Sequence, residues 1–195
     1  MPAPTATSST RYDRTASAIL EAAAHVLATE GSSANMAQVA AAAGVSRATL
    51  YRYYPSRETL LEALATRALA EAGARIADAA LERAPVDEAI ERIVRALIAV
   101  GDRYAVLLQE QVEPNPDEAD RTIGAPIRAV LTRGIDTGRL RDDLPPELLY
   151  ELFGGLLAAA VKISGRRLLG LEETAAATTA LFLEGAHPRP SGKRP

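Results

Sequence analysis

Apolar residues recur along this chain with the period of an α-helix, and helix breakers cut the pattern into segments. Ile19, Ala22, Ala23, Val26 and Leu27 share one face of a helix predicted from about Arg11 to Glu30. Ile90, Ile93, Val94, Leu97 and Ile98 do the same within residues 86–100. Alternation of β-branched and aromatic residues with period two is almost absent, so strands are not expected. Of the 195 residues 48% are hydrophobic but only 4% aromatic, which leaves Ala, Leu, Val and Ile to build the core. Alanine and leucine are strong helix formers. The fold class is all-α.

The breakers set the order of helices. Gly31 is placed to end the first helix in a left-handed cap. Asn35 is a good N-cap for a short second helix carrying Met36, Val39, Ala40 and Ala43 inward. In "AAAGVS", Gly44 suits a turn with positive φ, Val45 plugs the core and Ser46 caps a third helix, Arg47 to Tyr54, which Pro55 stops. Ser56 caps a long fourth helix predicted to run to residue 84, before Pro85. Gly101 separates residues 86–100 from a short helix, "DRYAVLLQEQV". The segment "EPNPDEAD" then offers a fresh start near Asp117 for a helix reaching about Thr137. Residues 146–164 and 171–185 give two more apolar helices, while residues 1–10 and 187–195 read as disordered.

Several chemistries are excluded. With no cysteine there are no disulfides, no thiolate chemistry and none of the usual zinc sites, which suits a reducing cytoplasm. The first ten residues lack the basic start and apolar core of a signal peptide. No run of 18 apolar residues exists, so no membrane span is expected. The two histidines, His25 and His187, lie in the first helix and the tail, which makes a His-based acid–base pair improbable. "GRRLLG" at 165–170 lacks the following Lys-Ser/Thr and the preceding strand of a phosphate loop. Asp117, Glu118 and Asp120 read as an acidic first turn that favours the helix dipole. No enzyme, metal or cofactor is expected.

Residues 43–60, "AGVSRATLYRYYPSRETL", hold Tyr51, Tyr53 and Tyr54 among Arg47, Arg52 and Arg57. Residues 1–57 carry a net charge of +2 and the remaining 138 a net of −5. A basic head on an acidic body hints at nucleic-acid contact by the head. Two helices joined by a short Gly-containing turn form the unit of a DNA-binding helix-turn-helix, whose second helix enters the major groove. That helix would expose Ser46, Arg47, Ala48, Thr49, Arg52 and Tyr53, with Leu50 and Tyr54 inward. The Ser46 and Thr49 hydroxyls and the helix N-terminus suit a phosphate. Arg47 or Arg52 suits guanine. The residue types alone leave open a plainer reading, in which the tyrosines cap a three-helix core and the arginines are solvated.

The whole string "QVAAAAGVSRATLYRYYPSRETLLEAL", with Gly31 and the apolar pairs at 19–20 and 22–23, resembles the TetR family of bacterial transcriptional repressors. The resemblance covers about residues 11–65. It departs at Asn35 (usually Thr), Tyr54 (usually Phe) and Arg57 (usually Lys), each keeping the capping, packing or charge of the position. It implies phosphate contacts from Thr49, Tyr51, Tyr53 and Arg57, and base contacts around Arg47, Ala48 and Arg52. Asn35 and Ser46 complete the expected DNA-binding set. The implied domains are a helix-turn-helix domain at 11–57 (the motif itself at about 35–54) and a ligand-binding and dimerisation domain at 58–186.

In this family the C-terminal helices bind an effector and pair two subunits, so the implied partners are an operator duplex, a second copy and a small molecule. Leu149, Leu152, Phe153, Leu156, Ala159, Ala160 and Ile163, with Thr178, Leu181 and Phe182, form the expected dimer face. Arg103, Tyr104, Gln109, Arg128 and Phe153 are the candidate effector residues, and scarce aromatics point to aliphatic or small ligands. The family mechanism is a coupling in which the effector favours the state that does not bind DNA. An activator of the same fold and a helical interaction module without DNA binding are the alternatives.

Overall fold

The structure is a computed structural model that describes residues 6–112, 114–165 and 168–188; the side chains of 6–11, 102, 103, 105, 106, 108, 109 and 165 are outside this description. Every regular element among the described residues is helical: α1 (Ala6–Glu30), α2 (Met36–Ala42), α3 (Arg47–Tyr53), α4 (Arg57–Asp78), α5 (Val86–Gln109), α6 (Pro116–Ala119), α7 (Ala125–Asp136), α8 (Pro146–Gly165) and α9 (Leu171–Ala186). A 3-10 turn follows α1, and a π-turn, Asp120–Gly124, joins α6 to α7. The chain forms two compact units. The first holds Met1–Arg67 and Arg103–Pro114, the second Ala68–Asp102 and Asn115–Pro195. The first unit thus reaches beyond residue 57.

The core of the first unit is built by Ile19, Ala23 and Leu27 of α1, Val39 and Ala40 of α2, Leu50 of α3, and Leu60 and Leu64 of α4, all nearly or fully buried. Burying a side chain of leucine size contributes about 1.5–3 kcal/mol. Gly31 and Gly44 adopt φ of +61° and +65°, the left-handed turns anticipated for them. α1 begins at Ala6, so residues 6–10 are helical instead of a disordered arm; "TATSST" contains no breaker once Pro4 is passed. Of the tail, residues 189–195 lie outside the described residues.

In the second unit, α8 and α9 pack through Phe153 and Phe182, whose ring centroids are 4.5 Å apart. Two boundaries differ from those read in the sequence. α4 ends at Asp78, six residues early. The chain turns there with Ala80 at φ +48°, and Arg92 and Arg133 take up the freed carbonyls: Ala79 at 2.7 Å, Leu81 and Ala84 at 2.9 Å, Glu82 at 3.2 Å. Distant guanidinium donors thus override local helix propensity. Gly101 does not break α5; a Cβ there would meet Val161 Cγ1 at 2.6 Å, so glycine permits close approach of α5 and α8. The irregularity falls instead at Tyr104, with φ −115° and ψ 17°.

Candidate nucleic-acid interface

Two side-chain caps fix the helix-turn-helix. Asn35 accepts from the backbone N–H groups of Ala37 and Gln38 at 3.0 and 3.1 Å, and the Gln38 side chain accepts from Asn35 N–H at 2.9 Å, a reciprocal capping box. The Ser46 hydroxyl accepts from Thr49 N–H at 3.1 Å and pairs with its hydroxyl at 2.9 Å. Between them Val45 N–H donates to the Ala40 carbonyl at 3.0 Å, closing the turn. With both ends set and Leu50 buried, the opposite face of α3 points outward.

That face carries Ser46, Arg47, Ala48, Tyr51 and Arg52, all exposed. Thr49 and Tyr53 are half-buried at its margins. Among the described residues neither Arg47 nor Arg52 has a carboxylate partner, whereas Arg57, Arg67, Arg75, Arg92, Arg95, Arg128, Arg139 and Arg141 each do. Arg52 instead stands over the Tyr53 ring, 5.4 Å from its centroid. Tyr54 is buried, and its hydroxyl donates to the Ala16 carbonyl at 3.4 Å; burial pushes its pKa above the ordinary tyrosine value.

Two residues at this site escape a reading of the sequence. Tyr12 of α1 stacks on Tyr53 with ring centroids 4.4 Å apart, so it holds that ring in place. Nothing in its neighbourhood in the sequence marks it. Glu110 accepts both terminal nitrogens of Arg57, at 2.8 and 3.0 Å. The Arg57 guanidinium first, and then the Ser32 hydroxyl, hold the Glu110 carboxyl below the usual carboxylate range. Arg57, expected at a phosphate, is therefore already occupied by an acid 53 positions away.

The C-terminal expectations divide. Leu149, Phe153, Ala160, Thr178 and Phe182 are buried within the single chain, so they form the α8–α9 core and do not supply a face to a partner. The apolar period is the same on both sides of α8, and the sequence stripe merged the two. Leu152 and Leu181 are 55% and 64% exposed, Ile163 and Ala159 are exposed, and Leu156 is half-buried; Leu148 joins them on this outer side. Of the effector candidates, Phe153 is wholly buried and Arg128 forms an exposed ion pair with Asp120 at 2.7 Å. Tyr104 is buried in the first unit, near His25 and Arg67. The side chains of Arg103 and Gln109 lie outside the described residues. A cavity of about 400 Å³ opens elsewhere in the second unit, walled by Gly73, Ile76, Leu81, Thr122, Val130 and Arg133 among others. No cluster of acids and histidines among the described residues could hold a metal, and no helix there is long and apolar enough to cross a membrane.

A capped helix-turn-helix with two unpaired arginines on its second helix, followed by a separate helical body, defines a DNA-binding regulator. Known proteins agree. Residues 19–64 match the family model described as bacterial regulatory proteins, tetR family. The chain is 45% identical over 94 residues to the HTH-type transcriptional repressor LfrR of Mycolicibacterium smegmatis, a match covering 46% of this chain and 47% of that one. It therefore spans about half the length of that curated relative. The fold extends further. The crystal structure of the TetR-like regulator LfrR from Mycobacterium smegmatis in complex with proflavine superposes with TM-score 0.73 at 30% identity, over 91% of this chain and 99% of the other. The TetR family regulator PfmR of Thermus thermophilus gives 0.67 at 26% identity, over 85% and 97%. The chain belongs to the TetR family of transcriptional regulators. These relatives are regulators, not enzymes.

Proposed function

We propose that the protein is a cytoplasmic repressor, without enzymatic activity, that binds a palindromic operator as a homodimer and is released by a small-molecule effector. The observation that carries this reading is the outer face of α3, where Arg47 and Arg52 stand exposed and free of acids on a helix capped at its start. Arg47, Ala48 and Arg52 read base edges, while Ser46, Thr49, Tyr51 and Tyr53 hold the phosphate backbone. The exposed apolar side of α8 and α9, with Leu148, Leu152, Leu156, Ala159, Ile163 and Leu181, supports pairing of two copies. Two-fold symmetry in the protein then calls for two-fold symmetry in the operator. The cavity beside Thr122 and Arg133 has the size of a small-ligand site. Its walls are mainly aliphatic, with Glu82, Arg121, Thr122 and Arg133 as the polar groups, which favours a small aliphatic effector bearing a polar end; proflavine, held by the relative, is the natural contrast in a screen.

Selection from a random duplex library at near-physiological salt tests the reading. A two-fold symmetric consensus is expected. A folded, dimeric protein that enriches no sequence would overturn it and remove the base-reading roles of Arg47 and Arg52.

A further inference from the structure

Arg57 starts α4, two residues beyond the proline that ends the recognition-helix segment, and the resemblance places it at a phosphate. In the structure both of its terminal nitrogens are taken by Glu110, at 2.8 and 3.0 Å. Two parallel N–H···O bonds of this kind are the arrangement a guanidinium makes with a carboxylate or with a phosphate, and a lysine cannot reproduce it. The pair is partly sheltered: the Arg57 and Glu110 side chains are 33% and 22% exposed. The Ser32 hydroxyl, on the α1–α2 connection, adds to the lowering of the carboxyl's pKa after Arg57. Glu110 thus sits where a backbone phosphate would sit on Arg57, with the same charge sign and the same pair of acceptors.

Two backbone irregularities flank Glu110. Tyr104 interrupts the helix with non-helical torsions, and Gln111 adopts φ +54°, a left-handed conformation uncommon outside glycine. An open groove of about 410 Å³ lies beside the pair, lined by Arg57, Glu58, Leu61, Glu62, Glu110 and Val112. The guanidinium therefore has space to leave the carboxylate.

We propose that Glu110 masks Arg57 from DNA: while the pair is closed the head binds a duplex with one phosphate contact fewer, and opening the pair restores that contact. The inference rests on the DNA-binding reading above and adds to it a residue that sets affinity from outside the helix-turn-helix. Each neutralised phosphate steepens the dependence of log K on log salt by about 0.9.

The test is binding of the full-length protein to a random-sequence duplex between about 50 and 200 mM salt. Glu110→Gln keeps the size of the side chain and removes the charge that holds Arg57. It is expected to steepen the salt slope by about 0.9, which is a gain of roughly threefold at the low-salt end relative to the high-salt end. In an Arg57→Ala background the same change is expected to do nothing. Glu62→Gln removes an equal charge from the same groove without touching Arg57 and leaves the slope unaltered. Should Glu110→Gln fail to fold, Arg57→Lys retains the cation, loses the fork, and moves the slope in the same direction. Unchanged or weaker binding by folded Glu110→Gln, or a gain that survives Arg57→Ala, would overturn the proposal. Failure of the native protein to bind any duplex in a salt-dependent way would instead overturn the DNA-binding reading beneath it.

Discussion

The reading head and the helical body of this protein are held by hydrogen bonds of very different reach. In the head, Asn35 caps Ala37 and Gln38, Ser46 caps Thr49, and Ser56 caps Thr59, each partner no more than three residues away. The body has a local cap of the same kind, Asn115 accepting from Glu118 N–H at 3.0 Å, but adds ion pairs and carbonyl contacts across long separations. Arg139 reaches Asp87 over 52 positions, Arg95 reaches Glu172 over 77, and Arg133 serves three carbonyls about 50 residues back. Local caps give the head a geometry that hardly depends on the rest of the chain, which suits a surface that must match a fixed groove. Three ties of longer reach also cross the head, Tyr54 to Ala16, Arg67 to Ser17 and Arg57 to Glu110, and of these only the last engages a residue expected at DNA.

The contrast is sharpened most by Phe153→Ala. This ring is fully buried against Phe182, and its removal is expected to cost about 3–5 kcal/mol, read as a fall in the thermal unfolding midpoint by circular dichroism. An unchanged midpoint would show that α8 and α9 are not a core. Glycine substitutions come next, and they differ in kind. Gly101→Ala drives a methyl into Val161 and is expected to cost about 1–3 kcal/mol, relieved in part by Val161→Ala. Gly44→Ala meets no atom within 4 Å; its cost of about 1–2 kcal/mol comes from φ +65° alone, so no second substitution should relieve it. Rescue of both, or of neither, would erase the distinction between local and long-range control. Asn35→Ala removes the capping box for about 1 kcal/mol, again with no partner in the body to compensate.

The same difference in reach explains what can be read from the sequence. Asn35, Gly44 and Ser46 are legible because a cap or a positive-φ turn is a property of three or four consecutive residues. So is the exposed face of α3, since Leu50 alone fixes which side turns inward. The early end of α4 is not legible, because "ARIADAALERA" has helical propensity throughout and what stops it are guanidinium groups on Arg92 and Arg133. Gly101 reads as a breaker, yet its role is to admit Val161, 60 positions on. The face of α8 reads as one stripe since Leu149 and Leu152 are equally apolar, and only the position of α9 decides which is covered. Tyr12 and Glu110 stay hidden for the same reason: each acts through a partner distant in the chain.

The smallest expected effect is electrostatic and belongs to the body. Arg139 donates to Asp87 through Nε at 2.7 Å and through Nη2, and these hydrogen bonds are the main cause holding the Asp87 carboxyl below its ordinary range. A carboxylate whose pKa is lower folded than unfolded stabilises the fold only where it is ionised. Its contribution is complete above the unfolded value of about 3.9 and disappears as pH falls through the lower folded value. Asp87→Asn should therefore be less stable than the native chain near neutrality, and the gap should close on acidification below about pH 4. Both side chains are more than a third exposed, so solvent screening keeps the gap below that of Asn35→Ala, and raised salt should narrow it further. A gap that persisted at low pH would mean that Asp87 acts by capping the start of α5, a local role like those in the head, and the ion pair would no longer count among the body's long-range ties.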